Sequence, residues 1–584
     1  MAKFILCSKK REYTELKKCM EINFQESVKC CGDFGYLSAY KKLRIETQNC
    51  FLIGEEFAVG VGTFFYNNKR DKEALQDIWS NFNGNIASLR KAITGSYCLI
   101  IKKFHKVYVF VDAASTYNVY YSLDENGEIS ITTTYYHLAC ISETPKLDKK
   151  YFFAEWLHTI IREASMYEGI YRLTGDKILE FSNRKWKVGS IEFLRKNEDD
   201  NLVKKVKKKY EYLKQFSKTG VFLTGGQDSR LSLSLLMLLG IKPDVYYGMG
   251  NSLDTSTKQK DLEIVKSLVK KYDLSIHYMN WNDSNQKDKK IYLDKYGELY
   301  TLYCMNKNFM KEFEEIIDVE FICFGYFGEI FRTIESIENY KKDSFTLQEY
   351  MDDLYLSADK GLFNLDYYQE YRKKIYKLLQ DFCKLESLDE NHLNRDDFQK
   401  LNTVYRQRWD TQLNNFANLF TYSCPLFGDK EITDYVEAKS YSEKYNSRYQ
   451  MKLIYQLEKG VLEIPFFSHI KIKEFNPETF ELVDASITSK GKDFVREIVK
   501  NPKLLYGLKI IYYILQRDNK GLQELRKEHQ RKEQLKRMLV QNSLINDEID
   551  LNKAVDSMDV RRIKHVMLLE YLVKQVDNKN NDNL

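Results

Sequence analysis

Val221-Phe222-Leu223-Thr224-Gly225-Gly226-Gln227-Asp228-Ser229-Arg230 is the stretch of this 584-residue chain whose residue types could do chemistry. An apolar run ends in a hydroxyl residue, two glycines, an acid and a serine. Leu231 to Leu239 follows with a buried-helix pattern, closed by Gly240. A strand, a glycine turn and a helix N-terminus in that order let backbone N–H groups approach an anion, and the helix dipole favours negative charge there. An acid inside such a phosphate cradle implies a bridging Mg²⁺. The expectation is a nucleotide site with ATP as its ligand.

Two further segments carry related signals. Phe321-Ile322-Cys323-Phe324-Gly325-Tyr326-Phe327-Gly328-Glu329-Ile330-Phe331-Arg332 is again an apolar strand meeting a glycine turn with an acid. Asp244 to Gly250 reads as the intervening strand, and Asp261 as the acid that begins the helix after it. The elements that must position these turns alternate strand and helix from Gly220 to about Phe331, as βαβ units do.

The first turn is not a Walker loop, because no Lys follows the glycines. It resembles the PP-loop of the ATP pyrophosphatases, which cleave ATP to AMP and pyrophosphate. With the 325–332 turn beside it, the chain resembles the asparagine synthetases and their relatives. That resemblance implies Asp228 and Glu329 as Mg²⁺ ligands. It implies a cofactor site of Leu223, Thr224, Gly225, Gly226, Asp228, Ser229, Gly248, Met249, Gly325 and Arg332, with Gly248 and Met249 toward adenine. Glu329 stands where the family carries Asp, and Phe327 where its second loop carries a glycine. Tyr326 stands where asparagine synthetases usually carry Glu and β-lactam synthetase carries Tyr. In that relative the Tyr works with a Lys. Lys452, in the helix Arg448 to Tyr455 that leads to Glu463-Ile464-Pro465, is the candidate partner. Tyr326 and Lys452 are thus the expected catalytic pair. Tyr422 to Asp429, with Pro425 and Phe427, looks like a structural feature of the same family.

The resemblance extends to the N-terminal part. Gly95 to Val111, Asp112-Ala113-Ala114-Ser115 and Val119-Tyr120-Tyr121 are similar to the core of a class II glutamine amidotransferase domain. Glu168 to Gly175 is similar to the turn that closes it. An active glutaminase of this class needs a Cys after the initiator Met, whose free amino group is the base. Here residue 2 is Ala, and Cys7 has no free amino terminus beside it. Loss of glutaminase chemistry is therefore expected, as in β-lactam synthetases and lasso-peptide cyclases.

The fold expected is mixed α/β and α+β. Residues 1–195 form an Ntn-hydrolase-like β-sandwich carrying a degenerate amidotransferase domain. Residues 205–500 form a PP-loop, doubly wound α/β domain with helical additions, and 501–584 a helical extension. Hairpins are expected at 96–111, around Asn126-Gly127 and around Ser182-Asn183. A charged linker enters a helix between 195 and 217. The stretch from 338 to about 420 reads as helical, 521–540 as a charged helix, and the tail after Asp577 as frayed.

Bulk composition excludes several classes. A net charge of +6 is mild for this length and gives no case for nucleic acid. No run approaches the roughly 20 apolar residues that span a bilayer, and no secretory leader is legible. Eleven cysteines without zinc-ligand spacing suit reduced thiols and a cytoplasmic protein. The function expected is an ATP-dependent carbon–nitrogen ligase that adenylates a small-molecule or peptide carboxylate for attack by a substrate amine. A natural-product, peptide-modification or surface-glycan pathway fits it better than primary asparagine synthesis, with a pathway partner or a second copy of the chain as companion. The competing expectation is a catalytically silent scaffold that kept the fold. A PP-loop enzyme acting on RNA is weaker on the charge.

Overall fold

The computed structural model describes residues 1–142, 145–157, 162–191, 201–250, 256–281, 293–297, 309–338, 340, 342–356, 361–468, 471–485, 510–511, 514, 519–542, 549–558 and 560–582.

Thirteen strands build two antiparallel sheets in the N-terminal part. The first contains β1 (Lys3–Cys7), β2 (Glu26–Gly32), β3 (Gly35–Tyr40), β9 (Tyr120–Leu123), β10 (Ile129–Thr132) and β11 (Ile170–Arg172), in the order β11-β9-β10-β1-β3-β2. The second contains β4 (Cys50–Ile53), β5 (Glu56–Tyr66), β7 (Thr94–Lys103), β8 (Lys106–Val111), β12 (Lys177–Ser182) and β13 (Lys185–Ser190), in the order β13-β12-β8-β7-β5-β4, with β6 (Lys69–Arg70) beside β5. Alternation along each strand sets the layers. Phe4 and Leu6 point inward to Val59, Val61, Ile100 and Val109 of the other sheet. Ile5 and Cys7 point outward to helices α1 (Lys10–Glu21) and α4 (Tyr135–Ile141). On the far side, α2 (Asp71–Asn81) and α3 (Ile86–Ala92) cover Leu99, Ile101 and Phe110. The result is helix, sheet, sheet, helix. All three expected hairpins form, and Asn183 and Arg184 take the left-handed conformation that a tight hairpin turn requires.

A helix, α6 (Leu202–Lys209), and a short turn (Glu211–Gln215) lead into a five-stranded parallel sheet. Its strands are β14 (Thr219–Phe222), β15 (Asp244–Gly250), β16 (Ile276–Trp281), β17 (Phe321–Cys323) and β20 (Tyr422–Ser423), in the order β16-β15-β14-β17-β20. Helix α7 (Gln227–Leu238) follows β14 and is buried nearly all round, as its Leu-rich sequence requires. Helix α8 (Ser256–Tyr272) follows β15. Its start corrects one expectation: Asp261 lies inside the helix, in the second turn. The stretch from 338 to 420 is also less regular than expected. A two-stranded pair, β18 (Ser344–Phe345) and β19 (Leu393–Asn394), interrupts its helices. A small antiparallel sheet, β21 (Phe466–Ser468), β22 (Lys471–Asn476) and β23 (Glu481–Asp484), follows α9 (Lys430–Glu437) and α10 (Arg448–Glu458).

The two halves meet through buried polar groups. Lys42 Nζ donates to Asn418 O at 2.6 Å, Asn418 Oδ1 at 3.1 Å and Thr421 O at 2.9 Å. Thr63 Oγ1 donates to Asn418 Oδ1 at 2.6 Å, and Asn415 Nδ2 to Thr116 O at 2.7 Å. The C-terminal helix α11 runs from Val560 to Asp582, past the point where the sequence suggests fraying. Its Val566, Leu569 and Leu572 share a core with Leu138 of α4 and Phe153 of α5 (Lys149–Leu157), and Arg562 Nη2 donates to Leu157 O at 2.9 Å. The extension thereby closes over the N-terminal sandwich.

Candidate functional site

In a sheet ordered 3-2-1-4-5, the segments leaving strands 1 and 4 turn to opposite faces, and a crevice opens between them. Here those strands are β14 and β17, which pair directly. The segments leaving them are the two glycine turns singled out in the sequence. A Cβ at Gly325 would lie 2.6 Å from Ser229 N, and one at Gly328 would lie 2.5 Å from Asp228 Cβ. Both glycines are needed because the second turn lies directly on the first turn of α7. Phe327, between them, is left-handed at φ 65° yet 2 % exposed. That conformation costs a non-glycine residue about 1–2 kcal/mol, and burial of the ring against Gly428 offsets it.

Asp228 is the centre of the arrangement. Arg332 grips it with two bonds, Nε to Oδ1 at 3.2 Å and Nη2 to Oδ2 at 3.0 Å. Gln450, fully buried on α10, donates Nε2 to Asp228 Oδ1 at 2.8 Å and to Gly328 O at 3.0 Å. Burial by itself pulls the Arg332 guanidinium down, but the Asp228 carboxylate beside it, with smaller contributions from Glu329 and Glu338, outweighs this and holds it above the usual value. The cation that pairs with Asp228 is this guanidinium, and Glu329 adds only its field to it.

The glycine loop is closed on itself. Thr224 N–H donates to Ser229 Oγ at 3.1 Å, Gly226 N–H to Thr224 Oγ1 at 3.2 Å, and Gly225 N–H to Asp261 Oδ1 at 2.8 Å. The other oxygen of Asp261 accepts from the Tyr247 hydroxyl at 2.8 Å, tying the loop to β15. Phe467 N–H of β21 donates to Gly225 O at 2.8 Å, and its Cβ lies over the same glycine. Leu223 is buried, Thr224 faces solvent, and Gly226 and Asp228 are half-buried.

The remaining expected residues spread outward from this centre. Tyr326 is half-buried and stacks on Phe324, ring centroids 5.4 Å apart. Lys452 lies on the exposed face of α10, about 200° around the helix from Gln450 at 100° per residue. Gly248 and Met249 lie at the end of β15, where the Gly248 carbonyl accepts from Lys258 Nζ at 3.4 Å. Among the described residues no three His, Cys, Asp or Glu side chains converge as a metal site.

Sequence reading missed four residues: Arg230, Asp261 as a loop anchor, Gln450 and Phe467. Arg230 had a signal, since an Arg within a Leu-rich buried helix demands partners. Its Nη1 donates to Ile464 O at 2.6 Å and Val461 O at 3.3 Å, its Nη2 to Pro465 O, and the guanidinium stands 4.0 Å from the Phe466 ring centroid. Burial pulls it down to about 9, against the opposing fields of Asp261 and Tyr272. Arg230 fastens the segment carrying Phe467 to α7. Arg230→Lys keeps the charge but loses the planar fork, and a cost of about 1–2 kcal/mol is expected in urea unfolding. An unchanged midpoint would contradict the fastening role. Gln450 also had a signal, because Gln450, Met451, Ile454 and Leu457 form one helical face. Asp261 and Phe467 had none: their roles exist only once distant segments meet.

In the N-terminal part, Ala2 is buried, with its carbonyl accepting from the Tyr117 hydroxyl at 2.7 Å. Cys7 is fully buried, and its thiol is pushed up to about 12, chiefly by burial, with Glu12 adding to the rise and bonds to Ser130 and Ile131 opposing it. The thiolate is the reactive form. In the native protein at pH 8, Cys31, which is exposed, should therefore react with a thiol reagent while Cys7 does not. Mass spectrometry of the labelled peptides checks this, and labelling of Cys7 at the rate of Cys31 would overturn it.

No family model and no curated protein matches this chain. Among solved structures, glutamine phosphoribosylpyrophosphate amidotransferase from B. subtilis, complexed with ADP and GMP, is similar over 49 % of this chain, with 7 % identity and a TM-score of 0.24. The match covers 66 % of that chain, just under two thirds. Similarity at this level carries no argument about fold or site. No helix among the described residues is long and apolar enough to cross a membrane.

Proposed function

We propose that the chain is an ATP-dependent, AMP-forming carbon–nitrogen ligase related to the asparagine synthetases, with its chemistry at the crevice between β14 and β17. One observation carries this reading: two glycine turns, 100 residues apart in sequence, meet at the switch point of a 3-2-1-4-5 parallel sheet with an acid and an arginine between them. Ligands of open parallel sheets sit in that crevice. The N-terminus of α7 favours negative charge there. In this reading the substrate carboxylate attacks the α-phosphorus of ATP, pyrophosphate leaves, and an amine displaces AMP from the acyl-adenylate. The buried Cys7 and the absence of a thiol at Ala2 favour an amine other than glutamine-derived ammonia.

The Mg²⁺ expected from the sequence meets a physical test at Asp228. Three of the roughly four acceptor sites on its two oxygens already take bonds from Arg332 and Gln450, so a divalent cation at Asp228 would compete with that grip. Arg332 supplies the positive charge at that point.

A second reading, a scaffold that kept the fold, has its own supporting observation. The N–H groups of Thr224, Gly225 and Gly226 are all taken by the protein's own oxygens, one of them an Asp261 carboxylate where a phosphate would stand. Pyrophosphate release from ATP across a panel of carboxylates and amines separates the two readings. Release above background by wild type supports the ligase. Background release across the panel, with no ATP binding by calorimetry, overturns it in favour of the scaffold.

A further inference from the structure

A second site lies on the other side of the chain's entry into the parallel sheet. A cleft of about 710 Å³ separates α6 from the N-terminal sandwich. Lys204, Lys205, Lys208 and Lys209 of α6 line it, with Lys91 of α3 opposite and Glu431 as the acid among them. Phe65 and Tyr212 also line it. Their buried rings stack with centroids 3.5 Å apart, which makes a flat apolar floor. The turn Asn67-Asn68, both left-handed, forms one rim, and Gln215 Nε2 donates to Asn68 O to fix it.

Among the described residues, the charge in this cleft is unbalanced. Glu431 accepts from Lys209 at 3.3 Å and stands 3.9 Å from Lys91, so the acid is already shared between two lysines. Among the described residues, Lys204 and Lys208 have no carboxylate within ion-pair distance. They are four residues apart on one helix, as are Lys205 and Lys209, and like charges at that spacing destabilise a helix by a few tenths of a kcal/mol per pair. A solvated lysine face needs no enclosure. Here the lysines line a half-open cleft of the size that holds a small ligand.

We propose that this cleft binds a small polyphosphate anion, either free or as the phosphate chain of a nucleotide. Lysine ammonium groups suit phosphate oxygens as point charges with three donors each. The volume of the cleft, with the Lys91–Glu431–Lys209 bridge in its lining, suits a short anion. The site is distinct from the switch point: α6 and the turn after it enter β14, whereas Asp228 lies on the segment leaving it.

Calorimetric titration of the full-length protein with tripolyphosphate, at low salt and without divalent cations, tests the assignment. Wild type should bind one equivalent. Lys204→Glu/Lys208→Glu, and the milder Lys204→Gln/Lys208→Gln, alter exposed side chains and should weaken binding by at least about tenfold, with wild-type affinity falling as salt is raised. Asp228→Ala should bind as wild type does. Absence of binding to wild type, wild-type affinity in both lysine pairs, or loss in Asp228→Ala that circular dichroism shows to be folded would each overturn the proposal. So would citrate or hexaglutamate binding as tightly as tripolyphosphate. In the Asp228→Ala background, ATP that competes with tripolyphosphate identifies a nucleotide's phosphate chain as the occupant. ATP that does not compete leaves the free polyphosphate.

Discussion

Asp228→Asn should sharply lower pyrophosphate release and also measurably destabilise the protein. Asn presents one oxygen to a guanidinium that now takes two, and it turns an amide toward Arg332 or Gln450. Removing one partner of a buried ion pair costs about 3–5 kcal/mol. Asp228 and Arg332 side chains are 30 % and 17 % exposed, so solvent screening reduces the expected loss to about 2–3 kcal/mol. Loss of a charge that organises the reacting groups should lower turnover by about 10²–10³-fold. Arg332→Gln alone leaves the carboxylate without its cation. The double variant Asp228→Asn/Arg332→Gln should be more stable than the sum of the single losses, because neither charge is then left alone. Strict additivity in urea unfolding would show that the pair is not coupled. A destabilised Asp228→Asn protein with unchanged activity would remove Asp228 from the chemistry and leave it a structural acid.

Gly328→Ala should be nearly as damaging, through packing alone. The new methyl would stand 2.5 Å from Asp228 Cβ and 2.7 Å from its Cα, both on the rigid first turn of α7. Neither atom is the end of a flexible side chain, so the 325–332 turn must move away. Overpacking of this kind costs about 1–3 kcal/mol and sometimes more. Moving the turn also shifts Arg332 off Asp228, so activity should fall with stability. Gly240→Ala is the control. Gly240 sits at φ +75° with nothing within 4 Å of a Cβ, so only backbone strain of about 1 kcal/mol is expected, with activity retained. If Gly328→Ala proves no more costly than Gly240→Ala, the close approach of the two turns is not what holds the site.

Local chemistry made some of this legible in the sequence. Apolar runs ending in Gly225-Gly226 and Gly325 marked two strand–turn segments, because glycine punctuation and β-branched or aromatic runs act over a few residues. The hairpins at Asn126-Gly127 and Ser182-Asn183 followed for the same reason, as did the burial of α7 from its leucines. Asp228 and Arg332 were both named, but from separate segments. What they do to each other was invisible, since the expected partner of Asp228 was a cation from solution rather than a side chain 104 residues away.

The sequence by itself determined the strand, turn and helix around each glycine turn and named Asp228 and Arg332 within them, though not Arg230. Tertiary structure alone decided the order of the parallel strands, which sets β14 beside β17 and makes two turns into one crevice. It also decided who occupies that crevice: Arg332 and Gln450 on Asp228, Asp261 on the Gly225 N–H, and Phe467 across the loop. The physical reason is range. Backbone preference and side-chain periodicity are fixed by neighbours within one or two turns of chain. A hydrogen bond or an ion pair depends on atoms within a few ångström in space, and only the packing of distant segments brings those atoms together.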